Sequence, residues 1–328
     1  MRKALLAVDP EASSHISSPE QAMRPSFVFM MAHSFSGSTL LSFLLGAHPE
    51  VATVGEMYIA PGFDTDSYPC SCGAPIGDCP FWREVSREME ARGVPFDIRT
   101  ADTSFRTGGA FEGLAHRLVT AEPRGRLFEA ARHAALRLLP RTRREIQRRL
   151  RINETLVRAV TDLRGARTFV DASKRPGRLL LLRQIPSFDT RVIHLVRDGR
   201  GVTRSAVRNL GRKVEEGARS WAASLRSAER VEKRFSPERW LTVRHEDLCR
   251  DPEAELGRIF RFLGVDPGVR VQNFRAVEQH IIGNRMRLSA TSEIRLDERW
   301  KTELTPDQIR AVERIAGAEL RRYGYESA

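Results

Sequence analysis

AHSFSGSTLLSFLLGAHPEVATVGE, residues 32–56, follows an apolar run from Phe27 to Met31. A buried strand, a small-residue turn and a helix start are the parts of a phosphate-binding loop, and the pattern G-x-x-x-x-G-K-[ST] can be laid on Ala32 to Thr39. Gly37 then takes the place of the second glycine, while Ala32 replaces the first and Ser38 replaces the lysine. The cradle is kept and the cation that grips a γ-phosphate is gone. Backbone N–H groups at a helix start, with the helix dipole behind them, hold an anion without any lysine. Ser36, Gly37, Ser38, Thr39 and Leu40 are therefore candidate anion-binding residues. The bland alternative is a serine capping an ordinary strand-to-helix turn.

Working outward, Ser26 to Ala32 reads as a buried strand and the residues from Ser38 to about Ala47 as a helix. EVATV, ending just before Gly55 and Glu56, reads as a short second strand. RTFVDA (Arg167–Ala172), RVIHLV (Arg191–Val196) and RWLTVRH are further apolar, β-branched runs, with helical patterns between and after them. Strands alternating with helices predict an α/β fold, a parallel sheet covered on both faces. Ligands of such sheets sit at the carboxyl ends of the strands. Residues from about 97 to 165 read as a helical insertion. Between Arg124 and Arg151 it carries ten arginines against two acids, which makes it a solvated helix face or, from its position, a lid over a second ligand.

The chain has 328 residues, a formal net charge of +12, and only five lysines: Lys3, Lys174, Lys213, Lys233 and Lys301. Such a balance suits an anionic ligand, nucleic acid or an acidic membrane surface, and does not choose among them. Aromatic residues are 7% of the chain and do not interleave with the basic run, which argues against base-stacking recognition of nucleic acid. No apolar run of about 18 residues is present to span a membrane. The N-terminal apolar stretch stops at Asp9-Pro10, too short for a secretory signal. Residues 1–24 are expected to form a loose tail, residues 25–328 a single domain, and the protein to be cytoplasmic.

Cys70, Cys72 and Cys79 fall within CSCGAPIGDCPFW. Three thiols so close fit a structural zinc ion with a fourth ligand from elsewhere, one disulfide with a spare thiol, or a turn-rich loop with small buried side chains.

A second element, VIHLVRDGRGVTRSAVRN (residues 192–209), is a strand ending at Arg197 followed by a helix carrying Ser205. These two side chains can converge on one anion. The plainer reading is a surface salt bridge between Arg197 and Asp198. Taken together, FSGSTLL (Phe35–Leu41) and RDGRGVTRS (Arg197–Ser205) resemble the paired motifs of sulfotransferases that use 3′-phosphoadenosine 5′-phosphosulfate. HPEVATVGE, VDASKRP, RHEDLCRDPEAELGRIFRFLGV and HIIGNRMRL…LDERW fit the same resemblance. It covers about residues 26 to 325 apart from the helical insertion, and it looks nearest to a bacterial branch sharing a G-E motif with tyrosylprotein sulfotransferases.

The resemblance implies a P-loop NTPase-like fold and a set of roles. Glu56 becomes the catalytic base, Lys174 a contact to the phosphosulfate, and Arg197 and Ser205 ligands of the 3′-phosphate. Two positions depart from the pattern: Phe35 stands where relatives often carry arginine, and His245 where they usually carry a tyrosine against the nucleotide. His33 or Arg285, in GNRMR, could supply the missing cation. The lost lysine then has a physical reason. Sulfuryl transfer moves a less charged group off a single 5′-phosphate, whereas a kinase must neutralise a triphosphate with lysine and magnesium. The expected partner is an acceptor bearing a hydroxyl (sugar, lipid, phenol or peptide tyrosine), with no catalytic metal and no nucleic acid. A kinase with a degenerate phosphate loop and a basic nucleic-acid-binding module are the alternatives. The missing lysine, and the lack of an apolar strand ending in acids for magnesium, count against the kinase.

Overall fold

The computed structural model describes residues 25–105, 113–121 and 124–326; the expected loose tail, 1–24, lies outside them. Five strands form one sheet: β1 (Ser26–Ala32), β2 (Val51–Thr53), β3 (Thr168–Asp171), β4 (Asp189–Val196) and β5 (Trp240–Arg244), in the order β2-β3-β1-β4-β5. All the pairings are parallel. This is the expected parallel α/β sheet.

β1 shows why its sequence is apolar throughout. Successive side chains on a strand point to opposite faces. Phe27, Phe29 and Met31 join one core, and Val28, Met30 and Ala32 join the other. A strand buried on both faces has no polar side to show. The second core holds α1 (Ser38–Gly46), through Leu40, Leu41 and Leu44. The first holds α2 (Pro80–Ala91) through Trp82, Val85 and Met89.

Beyond α2 come α3 (Gly113–Thr120), α4 (Arg126–Arg137) and α5 (Pro140–Leu163). The insertion is thus helical from residue 113 but not over 97–105, where no helix forms. There the chain is stitched into the core instead: the amides of Thr103 and Ser104 both donate to the Ile59 carbonyl, at 3.0 and 3.1 Å. The Thr103 hydroxyl donates to the Met57 carbonyl at 2.6 Å. Those bonds outweigh the local pattern. α5 belongs to the layer covering the sheet, with Leu156, Val157 and Val160 fully buried in the first core.

After β3, α6 (Pro176–Leu182) turns four consecutive leucines into the same core. α7 (Gly199–Leu210) and α8 (Val214–Glu232) follow β4. α9 (His245–Arg250) and α10 (Pro252–Leu263) follow β5, and the chain ends with α11 (Trp300–Glu303) and α12 (Pro306–Arg322). α10 covers the second core with Leu256, Ile259 and Phe260. No helix among the described residues is long and apolar enough to cross a membrane.

Candidate active site

The sheet register fixes where the chemistry gathers. Ser26 of β1 lies opposite Asp189 of β4, and Ala32 opposite Leu195. The two strands therefore run out at the same level, and the loop from His33 to Gly37 emerges beside Arg197. β3 and β4 flank β1 on its two sides, which makes the end of β1 the point where the strand order changes direction, the usual ligand crevice of an open α/β sheet.

The loop after β1 is tightly wound. Phe35 has φ 68° and Gly37 has φ 90°, both left-handed, and Gly37 is the N-cap of α1. A Cβ on Gly37 would overlap His245 Nδ1 and lie 2.7 Å from its Cε1, so only glycine fits here without movement. No side chain caps α1, leaving the first-turn N–H groups of Ser38, Thr39 and Leu40 without intrahelical acceptors. Ser36 is buried and its hydroxyl has no hydrogen-bond partner. Buried hydroxyls are usually satisfied, and this one lies in the loop already read as an anion cradle. The Thr39 hydroxyl is engaged differently: it accepts from the Asn284 amide at 3.2 Å, docking the turn that carries Arg285 onto the first turn of α1. Arg285 itself is exposed.

Arg197 joins the loop to the other motif. Its Nη1 donates to the Phe35 carbonyl at 2.9 Å, its Nη2 to the Asp297 carbonyl at 3.0 Å, and Asp297 Oδ2 lies 3.5 Å away. Holding the Phe35 carbonyl gives the left-handed residue a tertiary partner. The Ser205 hydroxyl donates to the Gly201 carbonyl at 2.9 Å, one turn back on α7. A Cβ built on Gly201 would be 3.4 Å from Arg197 Nε, so the guanidinium packs against the turn that Ser205 bonds. Asp198 caps α7 by accepting from the Arg200 amide, and its carboxylate is gripped by the Arg200 guanidinium rather than by Arg197. The simple Arg197–Asp198 salt bridge does not form. A cleft of about 450 Å³ opens against Arg197, Gly201, Glu246, Asp297 and Trp300.

His245, at the start of α9, is buried against Gly37. Burial, helped by the Arg197 charge, pushes its pKa down to about 3, so the ring is neutral at ordinary pH. Asp297 lies in LDERW, a stretch that fits the resemblance, which assigns it no role. Hydrogen bonds from Arg299 hold its carboxyl well below the usual range, with Arg197 adding to the effect.

Glu56 and Lys174 meet. Lys174 Nζ donates to Glu56 Oε1, although 118 positions separate them in the chain. The reason is strand order: β2 and β3 are neighbours, and each residue lies just past the end of its strand. Gly55 has φ 72°, and a Cβ there would lie 2.8 Å from Ile281 Cγ2 and closer still to the Ile282 carbonyl. The Glu56 amide donates to that carbonyl at 2.9 Å, and the Ala172 amide to the Gly55 carbonyl at 2.8 Å. Lys174 is left-handed at φ 68°, a strained choice for a lysine. His33 is close enough for Lys174 and Arg212 to disfavour its charged form, though burial is the larger cause of its lowered pKa. Its Nε2 is 3.1 Å from Ser220 Oγ.

Behind this pair lies a buried ion pair that the sequence pattern does not single out. Asp171 is fully buried, with Arg178 Nε donating to its Oδ2 at 3.1 Å. Arg178 also donates to the carbonyls of Thr103 and Met57 and to Asn153 Oδ1. Asp171 Oδ1 accepts from the amides of Ser173 and Met57. One pair thus ties β3, α5, α6 and the segments on either side of Glu56 and Lys174.

The model of the sulfotransferase family matches residues 113–267. That match spans just under half of the chain, and it is to the sulfotransferase family that this part is similar. It is 28% identical over 170 residues to carbohydrate sulfotransferase 5 of Mus musculus, an alignment spanning 43% of this chain and 43% of that protein. The chain therefore matches less than half the length of that curated relative. A solved sulfotransferase domain from the curacin biosynthetic pathway superposes with a TM-score of 0.50 at 18% identity, covering 93% of this chain and 99% of that one. The domain from the Synechococcus PCC 7002 olefin synthase gives 0.46 at 20%, covering 89% and 95%. At such identity the first likeness speaks for the sulfotransferase fold alone.

Proposed function

We propose that this chain transfers a sulfuryl group from 3′-phosphoadenosine 5′-phosphosulfate to an acceptor hydroxyl, with Glu56 as general base and Lys174 beside it. The observation that carries the reading is the Lys174–Glu56 pair, set at the strand ends beside a lysine-free phosphate loop. The residues fit such a donor. Ser36 keeps a buried, unpartnered hydroxyl, and the first turn of α1 offers free N–H groups. Arg197, just past the end of β4, and Ser205, on α7, lie beside the same loop, where a second phosphate would need a charge-assisted contact.

When bound, the donor supplies an electrophilic sulfur and an anionic leaving phosphate. The chain's part is to orient and to move a proton. Glu56 Oε accepts the acceptor hydroxyl's proton as its oxygen approaches sulfur. Lys174 and the loop N–H groups stabilise the charge gathering on the departing phosphate oxygen. Neutral His245, packed on Gly37, adds no competing cation and holds the loop's shape. A cleft of about 240 Å³ is lined by Phe105, Val119 and Leu181 together with Tyr58 and Arg175, which follow Glu56 and Lys174 closely in the chain. Val119 belongs to α3, so the insertion contributes a wall to what we read as the acceptor's entrance.

Glu56→Gln keeps size and hydrogen-bonding shape but removes basicity. Titration calorimetry with adenosine 3′,5′-bisphosphate should match the parent, while turnover measured with labelled donor should fall roughly a hundredfold or more. Unchanged turnover removes Glu56 from the mechanism. Lost nucleotide binding makes it a structural residue instead.

A further inference from the structure

We infer that Cys70, Cys72, Cys79 and His280 form a structural zinc site that staples the cysteine loop to the segment holding Glu56 and α1. The ligand atoms of these four residues all lie within 4.8 Å of one another. Cys72 Sγ is 3.7 Å from Cys79 Sγ, and His280 Nδ1 is 3.7 Å from Cys70 Sγ and 3.3 Å from Cys79 Sγ. A tetrahedral zinc ion, with bonds of about 2.3 Å to sulfur and about 2.0 Å to nitrogen, holds its ligands roughly 3.5–3.8 Å apart. The cluster is already near that shape. Three soft sulfurs and one imidazole are a zinc donor set, poorly suited to magnesium or calcium.

The surroundings orient the ligands. The His280 ring stacks on Phe81 with centroids 4.4 Å apart and planes 3° from parallel. Its Nδ1 faces the sulfurs, while Nε2 lies 3.4 Å from Glu278 Oε1, the carboxylate-on-histidine arrangement that fixes a ligating tautomer. Cys70 and Cys72 sit on a tight turn in which the Gly73 amide donates to the Cys70 carbonyl at 3.0 Å. Ser71 between them takes the Ile281 amide at 2.7 Å and donates to the Gln279 carbonyl, so the turn grips the chain on both sides of His280.

That grip matters because the residues just after His280 reach the active site. Ile282 exchanges bonds with Val54 and Glu56, and Asn284 docks on Thr39. A zinc ion would hold these contacts in register through one bond to His280. It takes no part in the reaction.

The full chain, purified reduced from zinc-supplemented culture, should contain about one zinc per chain by elemental analysis. After metal removal, Co²⁺ added to the reduced protein should give thiolate charge-transfer and tetrahedral d–d bands. His280→Cys should keep the metal and strengthen the thiolate band, whereas His280→Ala should lose it. Removing the metal should lower the melting temperature by about 5 °C or more. Should His280→Ala not fold, Cys72→Ser, whose thiol is exposed, serves as the loss variant. Folded protein with under about a tenth of a zinc per chain and no cobalt bands overturns the assignment. So does a Cys72–Cys79 disulfide in the freshly isolated chain, or metal content unchanged by both loss variants.

Discussion

Gly37→Ala is the sharpest perturbation of the phosphate loop. At φ 90° a side chain is strained by about 1–2 kcal/mol. Its Cβ would also overlap the imidazole of His245, which is buried and has Gly37 on one side and the Arg197 charge nearby. Pushing that ring aside adds about 1–3 kcal/mol, as overpacking of a filled site does. The sum, about 2–5 kcal/mol, is to be read as a shift of the urea midpoint at constant slope. Affinity for adenosine 3′,5′-bisphosphate should fall at least tenfold, because the N–H groups of Ser38 and Thr39 lose their aim and one charge-assisted bond is worth about 1.5–3 kcal/mol. A double-mutant cycle separates the two causes. His245→Ala vacates the space the new methyl needs, so the pair should be less costly than the sum by roughly 1–2 kcal/mol, the backbone strain remaining. A cost below about 1 kcal/mol for Gly37→Ala, or strict additivity in the cycle, would refute the packing argument.

Arg178→Ala should cost about 3–5 kcal/mol in chemical denaturation, since it strands the fully buried Asp171 carboxylate; a loss under about 1 kcal/mol contradicts that picture. His194 is buried between Trp240 and Tyr323, and burial pushes its pKa down to about 4 from 6.5. The unfolded chain therefore binds more protons between those values, so this histidine's contribution is complete above pH 6.5 and is lost as pH falls toward 4, on the order of 1 kcal/mol per pH unit. His194→Gln should flatten the parent's stability profile by about that slope between pH 6 and 5, and parallel profiles would show that the ring is charged in the fold.

The parts of the fold legible in the sequence are those written as continuous pattern. β1 is an unbroken apolar run from Phe27 because both its faces are buried, β4 carries a shorter one, Val192–Val196 with His194 in it, and each leads straight into its motif. Glu56 and Lys174 can be nominated one at a time, through the resemblance. Their meeting depends on β2 lying beside β3, which no local pattern states. Asp297 and His280 fall in stretches that fit the resemblance, but as single polar residues in segments without periodicity neither is picked out there by its own pattern. Arg178 is hidden for a different reason. Charged residues are almost never fully buried unless paired, and its partner and acceptors lie on four separate segments. Residues 97–105 read as helical in isolation and are not, because tertiary hydrogen bonds from Thr103 and Ser104 override their local preference.

The central claim, that the loop after β1 and the start of α7 together hold a nucleotide carrying two separate phosphates, is tested most directly by titration calorimetry of the parent and Arg197→Ala with adenosine 3′,5′-bisphosphate and with AMP. The parent should bind the bisphosphate more tightly by roughly ten- to a hundredfold, the worth of one charge-assisted contact, and Arg197→Ala should erase most of that preference. Equal affinity of the parent for the two nucleotides, or a preference that survives the loss of Arg197, would contradict it.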